Sequence, residues 1–130
     1  MASIHIERLI DRPAEAVWDA IRDVGALHDR LVPGFVVDTR LEDEARVVTF
    51  ANGMVARELL IALDDDRRRF AYSVLSEQLA HHNATNEVFE AGPGRSRFVW
   101  KADVLPHAAA ETVRGMMEQG ADALKAAMER

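Results

Sequence analysis

The sequence predicts an α+β domain: one antiparallel sheet of about seven strands, two short helices after the first strand, and one long helix at the C-terminus. Three observations carry that expectation. Ala2–Ile10 reads as a strand, stops at Asp11-Arg12-Pro13 and gives way to apolar residues at helical spacing. Residues 35–105 are divided by turn signals into short runs of strand-forming residues. Residues 106–130 keep a helical periodicity to the end of the chain.

The first strand carries β-branched Ile4, Ile6 and Ile10, which favour extended backbone. Pro13 opens the next element, because its fixed φ suits the first turn of a helix. Val17, Trp18, Ile21 and Val24 then share one apolar face, and Gly25 is expected to end that helix. Ala26–Leu31 reads as a second short helix closed by Pro33-Gly34. Strands are expected over Phe35–Leu41 and Arg46–Phe50, either side of the acidic turn Glu42-Asp43-Glu44. Asn52-Gly53 is a strong hairpin signal, since a type I′ turn needs φ > 0 at both central residues. Asp64–Arg67 and Gly92-Pro93-Gly94 mark the turns that follow.

These turns set a register. With Asn52-Gly53 as a two-residue loop, Phe50 faces Val55 and Val48 faces Arg57. With Asp65-Asp66 at the next tip, Ile61 faces Phe70, Leu59 faces Tyr72 and Arg57 faces Val74. The apolar alternation selects the same face: Val55, Leu59 and Ile61 with Phe70, Tyr72 and Val74. Arg57 is therefore expected to point inward, and a single bulge would reverse it. In the last strand Phe98, Trp100, Ala102 and Val104 share a face. The strand before it has two phases: His82, Ala84, Asn86 and Val88 inward, or Asn83, Thr85, Glu87 and Phe89.

The terminal segment, read from Pro106 to Arg130, places Val113, Met116, Met117, Gly120, Ala121, Leu124 and Met128 on one face. Helical throughout, it would span about 36 Å at ~1.5 Å per residue. Gly115 and Gly120 each cost about 1 kcal/mol of helix propensity relative to alanine. Gly120 on the apolar face either brings the helix close to the sheet or leaves room for a guest. One slim helix cannot cover so broad a sheet, so an interior space is expected.

Composition bounds the function. A chain of 130 residues fits a single domain over 1–130, and 48% apolar residues suit a globular fold. A net charge of -6 argues against nucleic acid, which needs clustered cations. The lack of cysteine excludes disulfides and thiolate chemistry. No stretch reaches the ~18 apolar residues of a membrane span, and the first residues lack the apolar core of a secretory signal. A cytoplasmic protein, monomer or homodimer, is the simplest expectation.

Asp11-Arg12-Pro13-Ala14-Glu15-Ala16-Val17-Trp18 after a strand, with Ile21, Asp23 and Pro33-Gly34 downstream, resembles the START-like (SRPBCC) superfamily. Arg57-Glu58-Leu59-Leu60, Phe70-Ala71-Tyr72-Ser73 and Val99-Trp100 add to the likeness, which covers essentially the whole chain and lies closest to the bacterial polyketide cyclase/dehydrase and lipid-transport branch. The resemblance implies a helix-grip fold, a curved sheet wrapped around the C-terminal helix, with a cavity that takes lipids, polyketides, sterols or hormones. Some relatives catalyse ring closure or dehydration. Leu31 stands where many relatives carry tryptophan, and Asn86 where they often carry an apolar residue.

Other chemistries lack their signatures. Adjacent His81 and His82 point to opposite faces of a strand, and no metal motif or cofactor loop is present. No Gly-x-Ser-x-Gly elbow exists. Gly92-Pro93-Gly94 is followed by a strand, and Arg67-Arg68-Arg69 is offset by Asp64-Asp65-Asp66. The candidate ligand-contacting set is Arg57, Leu59, Phe70, Tyr72, Asn86, Glu87, Phe98, Trp100, Met116, Met117 and Gly120. An inward Arg57 would pair with a carboxylate such as Glu87, reach the rim, or clamp an anionic ligand. The expected function is binding of a hydrophobic small molecule. The alternatives are a cyclase or dehydratase using Glu87, His82 or Tyr72 with Arg57 at an enolate oxygen, and an interaction module with a vestigial cavity.

Overall fold

The computed structural model describes residues 2–130. Its elements are β1 (Ala2–Ile10), α1 (Ala14–Arg22), β2 (Val36–Glu42), β3 (Ala45–Phe50), β4 (Val55–Asp64), β5 (Arg69–Leu75), β6 (His81–Glu90), β7 (Ser96–Leu105) and α2 (Ala110–Met128). The strands form one seven-stranded antiparallel sheet in the order β1-β7-β6-β5-β4-β3-β2, curved into the helix-grip arrangement with α2 inside the curve. Its two flanks, β1 and β2, are therefore connected through α1 and the turns that follow it.

α1 stops at Arg22, three residues before Gly25. Asp23 leaves helical geometry at ψ 72°, and its carboxylate accepts a hydrogen bond from Arg30 at 3.1 Å. The second short helix is a tight turn at Val24–Ala26 followed by a wide π-type turn at Leu27–Leu31. The long helix begins at Ala110, because β7 runs to Leu105 and the chain reverses through Pro106 and a turn at His107–Ala109. Its 19 residues span about 28 Å, not 36 Å.

The register of β4 differs from the expectation by one residue. Phe50 N–H donates to the Met54 carbonyl, and Gly53 N–H to that of Phe50. The loop is thus Ala51–Gly53, three residues ending in Gly53 at φ +90°, as in a type I turn closed by a left-handed glycine. Val47, not Val48, lies opposite Arg57. At the other end of β4 the ladder closes at Asp64 and Arg69, and a bulge near Ile61 sets Leu60, not Leu59, opposite Tyr72. Since side chains alternate, the slip turns β4 over from Val55 as far as the bulge, beyond which Leu63 lies opposite Phe70. Glu58 is buried, while Val55 and Ile61 are 61% and 60% exposed. Phe70 and Tyr72 are buried as the alternation required.

α2 packs chiefly on β1 and more lightly on β7. Polar ties fix it there: Arg8 donates to Asp122 at 3.0 Å, Arg12 to the Met128 carbonyl at 3.0 Å, and Asp11 N–H to Glu129 at 2.9 Å. α1 is tied to the β4–β5 turn, where Asp65 accepts from Trp18 Nε1 at 2.8 Å and Arg22 Nε at 2.7 Å. That carboxyl sits below its usual range because of these donors, Arg22 first. α1 lies against β6 and α2 is held to the β1 flank, so neither helix packs closely on β3–β5.

Candidate functional site

The uncovered part of the sheet bounds a cavity of about 570 Å³, within the size range of small-molecule sites. Val48, Tyr72, Val74 and Phe98 form its sheet wall. Val113, Met116, Met117, Gly120 and Leu124 come from α2, and Leu27, Leu31, Val32 and Phe35 from the segment before β2. Met54, Val55 and Leu75 also border the cavity and are 47%, 61% and 49% exposed, so they mark its mouth. Ala56 and Ala84 lie on inward positions, and Gly120 faces Trp100 and Phe35 so closely that an added Cβ would stand 3.1 Å and 3.2 Å from their rings.

Of the residues proposed from sequence, Tyr72, Asn86, Phe98, Trp100, Met116, Met117 and Gly120 border this cavity. Arg57 does not. It lies 43% exposed on the outer face, where its Nη1 donates to Glu42 Oε1 at 2.5 Å. Leu59 shares that outer face with it through the turned strand. Glu87 also lies outside, because β6 takes the phase that buries His82, Ala84, Asn86 and Val88. Phe70 is buried in the core at 1% exposure without reaching the cavity wall. The pairing of Arg57 with Glu87 is therefore absent, and neither can act on a molecule inside.

The charge pair inside is Arg46 and Glu58, opposite one another on β3 and β4. Arg46 Nε donates to Glu58 Oε1 at 2.7 Å, with side chains only 5% and 9% exposed. The guanidinium also donates to the Val24 carbonyl at 3.3 Å and lies 5.1 Å from the Phe70 ring centroid. A buried pair endures only when its charges compensate and its remaining polar atoms find partners. The signal for it was present: a three-residue loop pairs 46 with 58 directly, on the face of Val48.

Polar atoms gather around Tyr72. Trp100 Nε1 reaches across the small Ala84 position and donates to Tyr72 Oη at 3.0 Å. Burial, then the nearby Glu58 carboxylate, holds the Tyr72 phenol far above its usual pKa. The His82 ring centroid is 5.8 Å from that of Tyr72, and His82 Nδ1 accepts the Val74 N–H at 3.0 Å. Burial, with His81 adding to it, pushes the His82 pKa down to about 4, so the ring is neutral at pH 7. Asn86 is buried, and its Nδ2 has no hydrogen-bond partner. Among the described residues, no group of three or more His, Asp or Glu side chains is placed to hold a metal ion, and no helix is long and apolar enough to cross a membrane.

Comparison with known proteins adds to this geometry. A structure of a Bacillus thuringiensis protein superposes with a TM-score of 0.86 at 22% identity, covering 98% of each chain. The di-domain ARO/CYC BexL of the BE-7585A biosynthetic pathway gives 0.82 at 18% identity, over 97% of this chain and 46% of that one. A START superfamily protein from Mycobacterium smegmatis gives 0.76 at 12% identity, over 97% and 96% of the two chains. No curated protein matches the sequence. At these identities the likeness concerns the fold. The sequence itself matches the family described as polyketide cyclase / dehydrase and lipid transport over residues 1–129, and with the fold in agreement the chain belongs to that family.

Proposed function

We propose that this protein binds one hydrophobic small molecule, of lipid, polyketide or aromatic type, between the sheet and α2. The observation that carries the reading is the cavity of about 570 Å³, apolar over most of its wall with a few polar groups set among the apolar ones. That combination suits a guest of mainly hydrocarbon surface whose orientation is set by one polar group. Its volume exceeds the ~300 Å³ floor for ligand sites, which speaks against a vestigial cavity in a pure interaction module. Membership of a family that includes both cyclases and lipid carriers, and the shared fold with an ARO/CYC domain, support the same class of guest.

Native mass spectrometry against a panel of fatty acids, quinones and fused aromatic ketones tests this. The expected result is a one-to-one adduct that disappears in Val113→Trp, a variant that fills the cavity from the half-buried face of α2. Folding of the variant is checked by circular dichroism. No adduct from any compound, or an adduct equally retained by the folded variant, overturns the reading.

A further inference from the structure

The two edges of the sheet are finished differently. α2 lies along β1, where Lys125 Nζ donates to the Leu9 carbonyl. β2 stands at the opposite end and pairs with β3 alone. The turns at Val24–Leu31 reach β2 from the inward side, where Leu27 and Leu31 border the cavity and the Val24 carbonyl meets Arg46. Among the described residues, no group outside β3 hydrogen-bonds to the backbone of residues 37–42. The free groups follow from the ladder. Leu60 N–H donates to the Glu44 carbonyl at 2.8 Å, a bond that flanks the Ala45–Leu59 pair and turns the bonding groups of Ala45 toward Glu42 on β2. Bonding alternates along a strand, so Glu42 and Arg40 bond to β3 while Leu41 and Thr39 direct theirs to the open edge.

That edge is self-complementary about Thr39. Val37-Asp38-Thr39-Arg40-Leu41 places opposite charges one residue to either side of it, and exposed apolar side chains two residues to either side. Asp38 and Arg40 are exposed on the outer face, opposite Thr49 and Val47. Arg40 gives Nε and Nη2 to Glu42, which leaves Nη1, and Asp38 has no ion-pair partner among the described residues. Edges that must stay apart carry like charges that repel a second copy, whereas these charges match one. We propose that two copies of this protein pair antiparallel through β2, with Thr39 on the two-fold axis. The Thr39 residues exchange two backbone hydrogen bonds, Asp38 of each copy faces Arg40 of the other, and Leu41 lies beside Val37 of the second copy. The two sheets become one continuous sheet, and the contact is isologous, so association stops at the dimer. Pairing over residues 37–41 is a small interface, which makes the dimer weak and dependent on concentration.

Sedimentation velocity over about 10–500 µM tests this, the range in which so small an interface becomes visible. Wild type is expected to pass reversibly from monomer to dimer as concentration rises. Asp38→Arg and Arg40→Glu each set like charges opposite one another twice across the axis, and either should weaken the dimer about tenfold or more. Mixed in equal amounts, the two variants present opposite charges to one another again. Native mass spectrometry of the mixture should find a heterodimer where neither variant alone dimerises. A double variant carrying both substitutions reverses the pattern within one chain and should dimerise as wild type does. Circular dichroism checks that each variant is folded. A wild type that stays monomeric throughout that range, single variants that dimerise as wild type does, or a mixture of folded variants that stays monomeric overturns the proposal.

Discussion

His82 couples the state of one imidazole to the stability of the molecule. Its folded pKa of about 4 lies below the ordinary value of 6.5, with burial the main cause. Between those values the unfolded chain takes up a proton that the native ring refuses. Stability is therefore undiminished above pH 6.5, declines as pH falls toward 4 and levels off below it, at a cost of about 3 kcal/mol. The depressed carboxyls, such as Asp65 and Asp103, act later, because their contribution is lost only as pH falls below the usual carboxylate range. His82→Asn retains an acceptor for the Val74 N–H and does not titrate. Urea unfolding from pH 7 to 4.5 should show wild type losing about 2 kcal/mol more than the variant. Parallel curves contradict the assignment. Residues were the hardest scale to read from sequence. The inward arginine was expected at 57 and occurs at 46, because orientation depends on register, and register on a loop one residue longer than the Asn52-Gly53 signal suggested.

At the scale of elements, α2 shows how two identical residues differ in role. An added Cβ at Gly115 meets nothing within 4 Å, whereas at Gly120 it meets Trp100 and Phe35 at 3.1 Å and 3.2 Å. Gly115→Ala should stabilise the protein by about 0.5–1 kcal/mol through helix propensity alone. Gly120→Ala gains the same propensity but forces two aromatic rings to yield, and overpacking commonly costs about 1–3 kcal/mol. It is expected to be at least about 1 kcal/mol less stable than Gly115→Ala in urea denaturation. Equal stabilisation by both contradicts the close approach. The elements were largely legible, since Ile4, Ile6 and Ile10, the turn residues and the spacing from Val113 to Met128 each act locally. The ends of α1 and α2 and the bulge near Ile61 were not, because they answer to distant partners: Arg30 at Asp23, Pro106 after β7, and the pairing of β4 with β5.

For the whole molecule, the central feature is a mismatch between a seven-stranded sheet and a single helix held to its β1 flank. The sequence carried that mismatch in the order of its elements, so an interior space could be expected without knowing its walls. Which polar groups faced it required the phase of β6, where both His82 and Glu87 were admissible by alternation. The two tryptophans now provide a built-in comparison. Trp100 borders the cavity and donates to Tyr72, while Trp18 lies on α1 and donates to Asp65. A proton–nitrogen correlation spectrum during titration with fluorenone resolves their two indole N–H signals. Occupation of the cavity should displace the Trp100 signal in a saturable manner and leave that of Trp18 in place; a stationary Trp100 signal at the highest fluorenone concentration, or movement of Trp18 alone, would contradict the account.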